Sequence, residues 1–155
     1  LKQTAKGTER IGIVASSGGR RLRAEGIDVK NEIDPANWFL NDKDDVRSSY
    51  YLEEIATEFD IQGLEIDFTC VAWDINLHHD GKEWNYQNFK GSKWQNINQD
   101  ATKNYLLNSY RVLLTRARQG MIIFIPDVDN SDKTRTKAFY DQTFEYLQRC
   151  GLSEI

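Results

Sequence analysis

Apolar and polar residues alternate in period along this chain, and the changes of period mark its elements. Residues 1–9 are polar and carry no pattern, so a frayed lead-in is expected there. Arg10–Ser17 is a short β-branched run that meets Gly18-Gly19 and then Arg20-Arg21-Leu22-Arg23-Ala24-Glu25, the order strand, tight turn, helix start. Asp34-Pro35 breaks the pattern, and Trp38-Phe39-Leu40 makes a small apolar anchor before an Asp-rich loop. Further strands are predicted over Leu52–Thr57 and over Phe68–Trp73, the latter almost continuously apolar as a buried strand should be. Asp80-Gly81 between two short runs predicts a β-hairpin.

From Asp100 the period becomes helical. Leu106, Tyr110, Leu113 and Ala117 fall on one face, with Leu107 and Leu114 widening it, and Gly120 is expected to close the helix. Met121–Ile125 then predicts a central strand ended by Pro126. A last helix is expected from about Ser131 or Asp132 to Gly151, with Phe139, Thr143, Tyr146, Leu147 and Cys150 on one side. Strands alternating with helices, with apolar residues on both strand faces, predict a three-layer α/β domain with a mostly parallel sheet and an inserted hairpin. Ligands of such sheets sit at the carboxyl ends of the strands, which directs attention to the loops after Ser17 and after Thr57, and to the segment Arg111–Arg118.

A length of 155 residues suits one domain, and the composition is that of a globular protein. The chain lacks an apolar leader and a membrane-length apolar run, and its two cysteines are too few for a disulfide scaffold; a cytoplasmic protein is expected. It begins at Leu1 without Met, which suggests a piece of something longer. The net charge of −4 argues against a wholesale basic nucleic-acid binder, but the charge is segregated. Residues 31–67 hold eleven Asp/Glu against two Lys/Arg, whereas residues 102–118 hold Lys103, Arg111, Arg116 and Arg118 with no acid. Arg116 precedes a core-facing position and a buried strand, so it calls for an anion or a cluster of carbonyls.

Asn108-Ser-Tyr-Arg-Val-Leu-Leu-Thr-Arg-Ala-Arg118 and the strand after it resemble motif VI of superfamily 1 helicases. Ala56-Thr-Glu-Phe-Asp-Ile-Gln-Gly-Leu-Glu-Ile-Asp67 resembles their motif V, with Phe59 where a His is common and Gln62 where one branch has Lys. Motif VI departs too, with Arg111 where a Tyr is common. Trp38-Phe-Leu-Asn-Asp-Lys-Asp-Asp-Val-Arg-Ser-Ser-Tyr50 and Cys70-Val-Ala-Trp-Asp74 are similar to a narrower group, the Schlafen-like (group 3-like) DNA/RNA helicase domain. The resemblance covers residues 10–155 and implies the second RecA-like (P-loop NTPase-type) lobe of an ATP-dependent motor. On it, Arg116 is the arginine finger; Gly63, Glu65 and Arg118 contact ATP with its Mg²⁺; and Thr57 contacts single-stranded DNA or RNA. Arg20 and Arg21, following Gly18-Gly19, are further candidates for a phosphate at a helix N-terminus, where a simple strand–helix turn explains them equally well. The partner implied is an N-terminal RecA-like lobe, with no membrane.

The pattern Gly-x-x-x-x-Gly-Lys-Ser/Thr does not occur in these residues, so this chain alone is expected to be half a motor and to hydrolyse nothing. Adjacent His78 and His79 point to opposite faces of a strand and do not suggest a metal site. Trp84, Tyr86, Phe89 and Trp94 suit either hairpin packing or base stacking. Two other readings stand beside the motor. One is a non-catalytic lobe of a defence or regulatory protein that binds nucleic acid or a partner, the other a Rossmann-type nucleotide-binding domain.

Overall fold

The computed structural model describes all 155 residues. Its centre is a four-stranded parallel sheet in the order β2-β1-β3-β7, built from β1 (Ile11–Ala15), β2 (Ile55–Ala56), β3 (Ile66–Ala72) and β7 (Ala117–Phe124). A second, antiparallel sheet of β4 (Leu77–His79), β5 (Trp84–Lys90) and β6 (Lys93–Asn96) grows from the end of β3. Asp80-Gly81 makes the first of its turns, with Gly81 at φ +91°. The second turn uses Gly91 at φ +63° and adds β6, which the pattern had not marked.

The two faces of the parallel sheet carry separate apolar clusters. Val14, Ala56 and Val71 face Trp38, Leu106, Tyr110 and Leu113, so α1 (Pro35–Leu40) and α2 (Asp100–Leu114) cover one side. Ala15, Ile55 and Ala72 face Leu22 and Val29 on the other, under a 3-10 turn at Arg20–Glu25. Gly12 is required by this packing: a Cβ there would stand 2.5 Å from the Trp38 ring. Asp34-Pro35 initiates α1 rather than merely breaking a pattern. The Asp34 carboxylate accepts from the Ala36 and Asn37 amides, and Pro35 fills the first helical position, where no N–H is needed.

Four expectations are corrected. α2 ends at Leu114, not before Gly120, because Thr115 Oγ1 donates to the Arg111 and Val112 carbonyls and Arg116 Nε donates to Val112, which satisfies the last turn early. Gly120 therefore lies inside β7, opposite Phe68, where a Cβ would stand 3.3 Å from the ring. β7 is an edge strand; β1 and β3 are central. The last helix, α3 (Lys137–Arg149), begins later than the polar residues at 131–132 suggested. Asp132 caps a loop instead, accepting from the Thr134 amide and hydroxyl. α3 ends as expected, with Gly151 at φ +97°, but Cys150 is exposed rather than on the packed side.

The hairpin aromatics pack inward. Trp84 lies against Trp73, His79 and Tyr146, and the Trp94 indole donates to Thr134. His78 stacks on Phe139 and His79 on Tyr146, so both rings are spent on α3. The lead-in makes two turns, and Tyr50 and Lys43 donate to its Thr8 and Gly7 carbonyls. No helix is long and apolar enough to cross a membrane.

Candidate functional site

Parallel strands give the sheet two chemically different ends, and the candidate residues divide between them. At the amino end, the Ile66 amide donates to the Arg116 carbonyl at 3.0 Å, which lays the start of β3 beside the end of α2. That one bond brings exposed Glu65 and half-buried Arg116 to the same rim. Gly63 precedes them at φ +82°, with nothing within 4 Å of where a Cβ would be, so the backbone there is open to a ligand. The Arg116 guanidinium donates to the Val112 carbonyl at 3.2 Å and the Thr115 hydroxyl at 3.0 Å, and no carboxylate pairs with it. It is seated, yet its charge is not neutralised.

Arg118 differs. A bulge shifts the β3–β7 register between Ile66 and Phe68, and Arg118 and Gln119 both reach the Asp67 carboxylate, at 2.7 and 3.1 Å. Asp67 also accepts the Arg10 amide at 2.8 Å. Burial pushes its pKa up, but the Arg10 amide, Gln119 and Arg118 outweigh burial and hold the carboxyl below its ordinary value. The Arg10 guanidinium stacks over Tyr50 and Phe39 and donates to the Trp38 and Asn41 carbonyls, tying the acidic segment to the sheet.

At the carboxyl end, β1 runs into Ser16–Gly19, a loop fixed from below. Buried Asn76 donates to Ser16 Oγ at 3.1 Å and accepts from Tyr110 at 2.7 Å. A Cβ on Gly18 would stand 2.8 Å from the Asn76 amide, so glycine permits that contact. Fully buried Asp74 accepts from the Arg21 amide, its neighbour Ile75 and the Tyr140 hydroxyl; burial pushes its pKa up against those bonds.

The hydroxyls at this end are already engaged by carboxylates. Ser17 donates its amide and its Oγ to buried Glu58, at 2.8 and 2.7 Å. Thr57 donates its amide and its Oγ1 to Asp60, both at 2.7 Å. Arg21 pairs with Asp132 at 2.6 Å and lies over the Phe89 ring, whereas Arg20 makes no ion pair.

The structure thus brings Gly63, Glu65, Arg116 and Arg118 together at one end and Thr57, Arg20 and Arg21 at the other. The segment Arg111–Arg118 belongs to the amino end, not to the carboxyl end where it was sought, because α2 runs antiparallel to the sheet. Ser17 and Glu58 were missed: the partners are far apart in sequence and neither stands out by type. The Thr57-x-x-Asp60 spacing was a readable turn signature. No group of three or more His, Cys, Asp or Glu is placed to hold a metal ion.

Fold and rims describe an α/β domain of open parallel-sheet type with an antiparallel extension, cationic at the amino end and hydroxyl-rich at the carboxyl end. The family model for Schlafen group 3, DNA/RNA helicase domain, matches residues 1–127, and the chain belongs to that family. The match ends just after β7, so α3 lies beyond it. No curated protein and no solved structure matches the chain.

Proposed function

We propose that this chain is the second RecA-like lobe of an ATP-dependent DNA/RNA helicase or translocase of superfamily 1, working against a lobe that carries the triphosphate cradle. The observation that carries this reading is Arg116, a guanidinium held by a carbonyl and a hydroxyl with no counter-ion, beside Glu65 and an open Gly63. A planar, permanently charged fork suits the charge spread over a phosphoryl group in transfer.

The cofactor proposed with this reading is ATP with Mg²⁺, whose hydrolysis would supply the free energy for motion. The amino rim fits one side of such a nucleotide: Arg116 would meet the terminal phosphate, Glu65 would accept from ribose hydroxyls, and Gly63 leaves room for close approach. Arg118, 56% exposed and bound to Asp67, would contribute only after releasing that carboxylate. The single strand would cross the carboxyl end. There Arg20 has its charge available, Arg21 has spent its charge on Asp132, and Thr57 must release Asp60 before it can donate to a phosphate.

The test is phosphate release from Mg-ATP by a protein that joins this domain to a Walker A lobe. Arg116→Ala should abolish turnover by orders of magnitude with little change in strand affinity, while residues 1–155 alone should show none above background. Unchanged turnover removes Arg116 from the role. The second reading, a non-catalytic binding lobe, is favoured by the capping of Ser17 and Thr57 by Glu58 and Asp60. It predicts that the joined protein binds strands and that Arg116→Ala changes nothing.

A further inference from the structure

Among the aromatic pairs, Phe59 and Tyr105 are the one in which both rings are exposed, at 61% and 49%, with centroids 6.2 Å apart and planes tilted by 32°. Every other pair includes at least one buried or half-buried ring. Neither ring is exposed by accident of a loose segment. Glu58, bound to Ser17, and Ile61, 2% exposed, anchor the turn on both sides of Phe59, so Phe59 must point outward. Tyr105 precedes buried Leu106 on α2 and shares the solvent side of that helix with Asn104 and Asn108.

Charge says what such a pair can receive. Phe59 belongs to the strongly acidic stretch 31–67, and Tyr105 to the acid-free basic stretch 102–118. A polyanion cannot lay phosphates on the acidic side. It can lay an uncharged planar group there and turn its phosphates toward Arg111, which pairs with no carboxylate, while Lys103 is held by Asp100. From this we infer that Phe59 and Tyr105 form a stacking platform for one unpaired base of a single-stranded nucleic acid. The inference rests on the nucleic-acid reading above and adds a site to it: Arg20 takes phosphate, the platform takes a base. An aromatic face accepts any base, so the contact is tolerant of sequence.

The test measures equilibrium binding of residues 1–155 to a twelve-nucleotide oligothymidine and to an abasic strand of the same length and charge. Phe59→Ala and Tyr105→Ala should each weaken the thymidine strand about tenfold and leave the abasic strand within about twofold, and Phe59→Trp should restore affinity. Equal losses on both strands, or no loss on either, overturn the platform while leaving the nucleic-acid reading in place. Wild-type protein that binds neither strand overturns both. Should an alanine variant melt early, Phe59→Leu and Tyr105→Leu keep the bulk without the π-face and decide the same question.

Discussion

The amino and carboxyl ends of the parallel sheet are built from similar residue types put to opposite use. At the amino end the carboxylate is at the centre: Asp67 is buried, and Arg10, Arg118 and Gln119 converge on it, while Arg116 stands apart with its charge free. At the carboxyl end the carboxylates are caps: Glu58 sits on Ser17 and Asp60 on Thr57, while Arg20 carries the free charge. One end therefore offers an unneutralised guanidinium on a rigid base, and the other offers donors already filled by internal anions. A charge that must act on a developing phosphoryl group gains from being fixed beforehand. A contact that must be made and broken along a strand gains from having something to exchange with.

The largest expected effect separates the ends by their chemistry. On the proposed finger role, Arg116→Ala in the joined two-lobed protein should cost on the order of 10³–10⁵ in turnover. Arg20→Ala, assayed with saturating single strand, should leave turnover nearly intact. Comparable losses from both would erase the distinction.

Stability should divide the ends next. Asp67→Ala leaves the Arg10 amide and the Arg118 guanidinium without their acceptor, and should cost roughly 1–3 kcal/mol in urea unfolding. Asp132→Ala removes a carboxylate that is 37% exposed, beside an Arg21 side chain that is 26% exposed, and should cost less, about 1 kcal/mol.

Salt dependence sharpens the carboxyl end alone. Arg20→Ala should flatten the slope of log affinity against log salt by about 0.7, one phosphate's worth for a single strand, and Arg21→Ala should leave the slope unchanged. Equal flattening would mean that Asp132 does not hold Arg21 in solution.

The smallest effect is a response to acid. Thr134 and Arg21 hold Asp132 down to about 2, and Asp67 is also held below its ordinary value. A carboxyl with a depressed folded pKa contributes stability above its unfolded pKa and loses it as pH falls through the folded value. The unfolding midpoint of Asp132→Asn should therefore fall less than that of the wild type as pH drops below about 4. Midpoints of the wild type and of Asp132→Asn that fall in parallel would contradict the assignment of Asp132.

Sequence periodicity recovered most of the frame because strands and helices bury opposite rhythms of residues. The hairpin at Asp80-Gly81, the apolar run at Phe68–Trp73 and the face of α2 all followed from local pattern. The errors came where a side chain, not a glycine, ended an element. Thr115 and Arg116 cap α2, so the glycine signal at 120 pointed to the wrong place. Cys150 was misplaced because helical phase assigns a side but not whether anything covers it. At the rims, Gly63, Glu65 and Arg116 were legible as short motifs, and the structure places them together. The states of Arg21, Arg118 and Thr57 were not legible, since each depends on a partner that only the tertiary fold supplies, such as Asp132 across the sheet end.

The register of the parallel sheet also sets how the chain can fold. Ile13 pairs with Ile55, Ile11 with Phe68 and Phe68 with Gly120, so none of its ladders joins neighbouring segments of the chain. The hairpin sheet and α2 are local and can form early, but β3 must wait for β1 on one side and β7 on the other. Loop closure is paid in entropy before those contacts give anything back, which slows this domain relative to one built from local contacts. During that interval the uncharged stretches Ile11–Ala15, Phe68–Ala72 and Met121–Phe124 are unpaired, and they are what a nascent chain has most reason to keep apart from its neighbours.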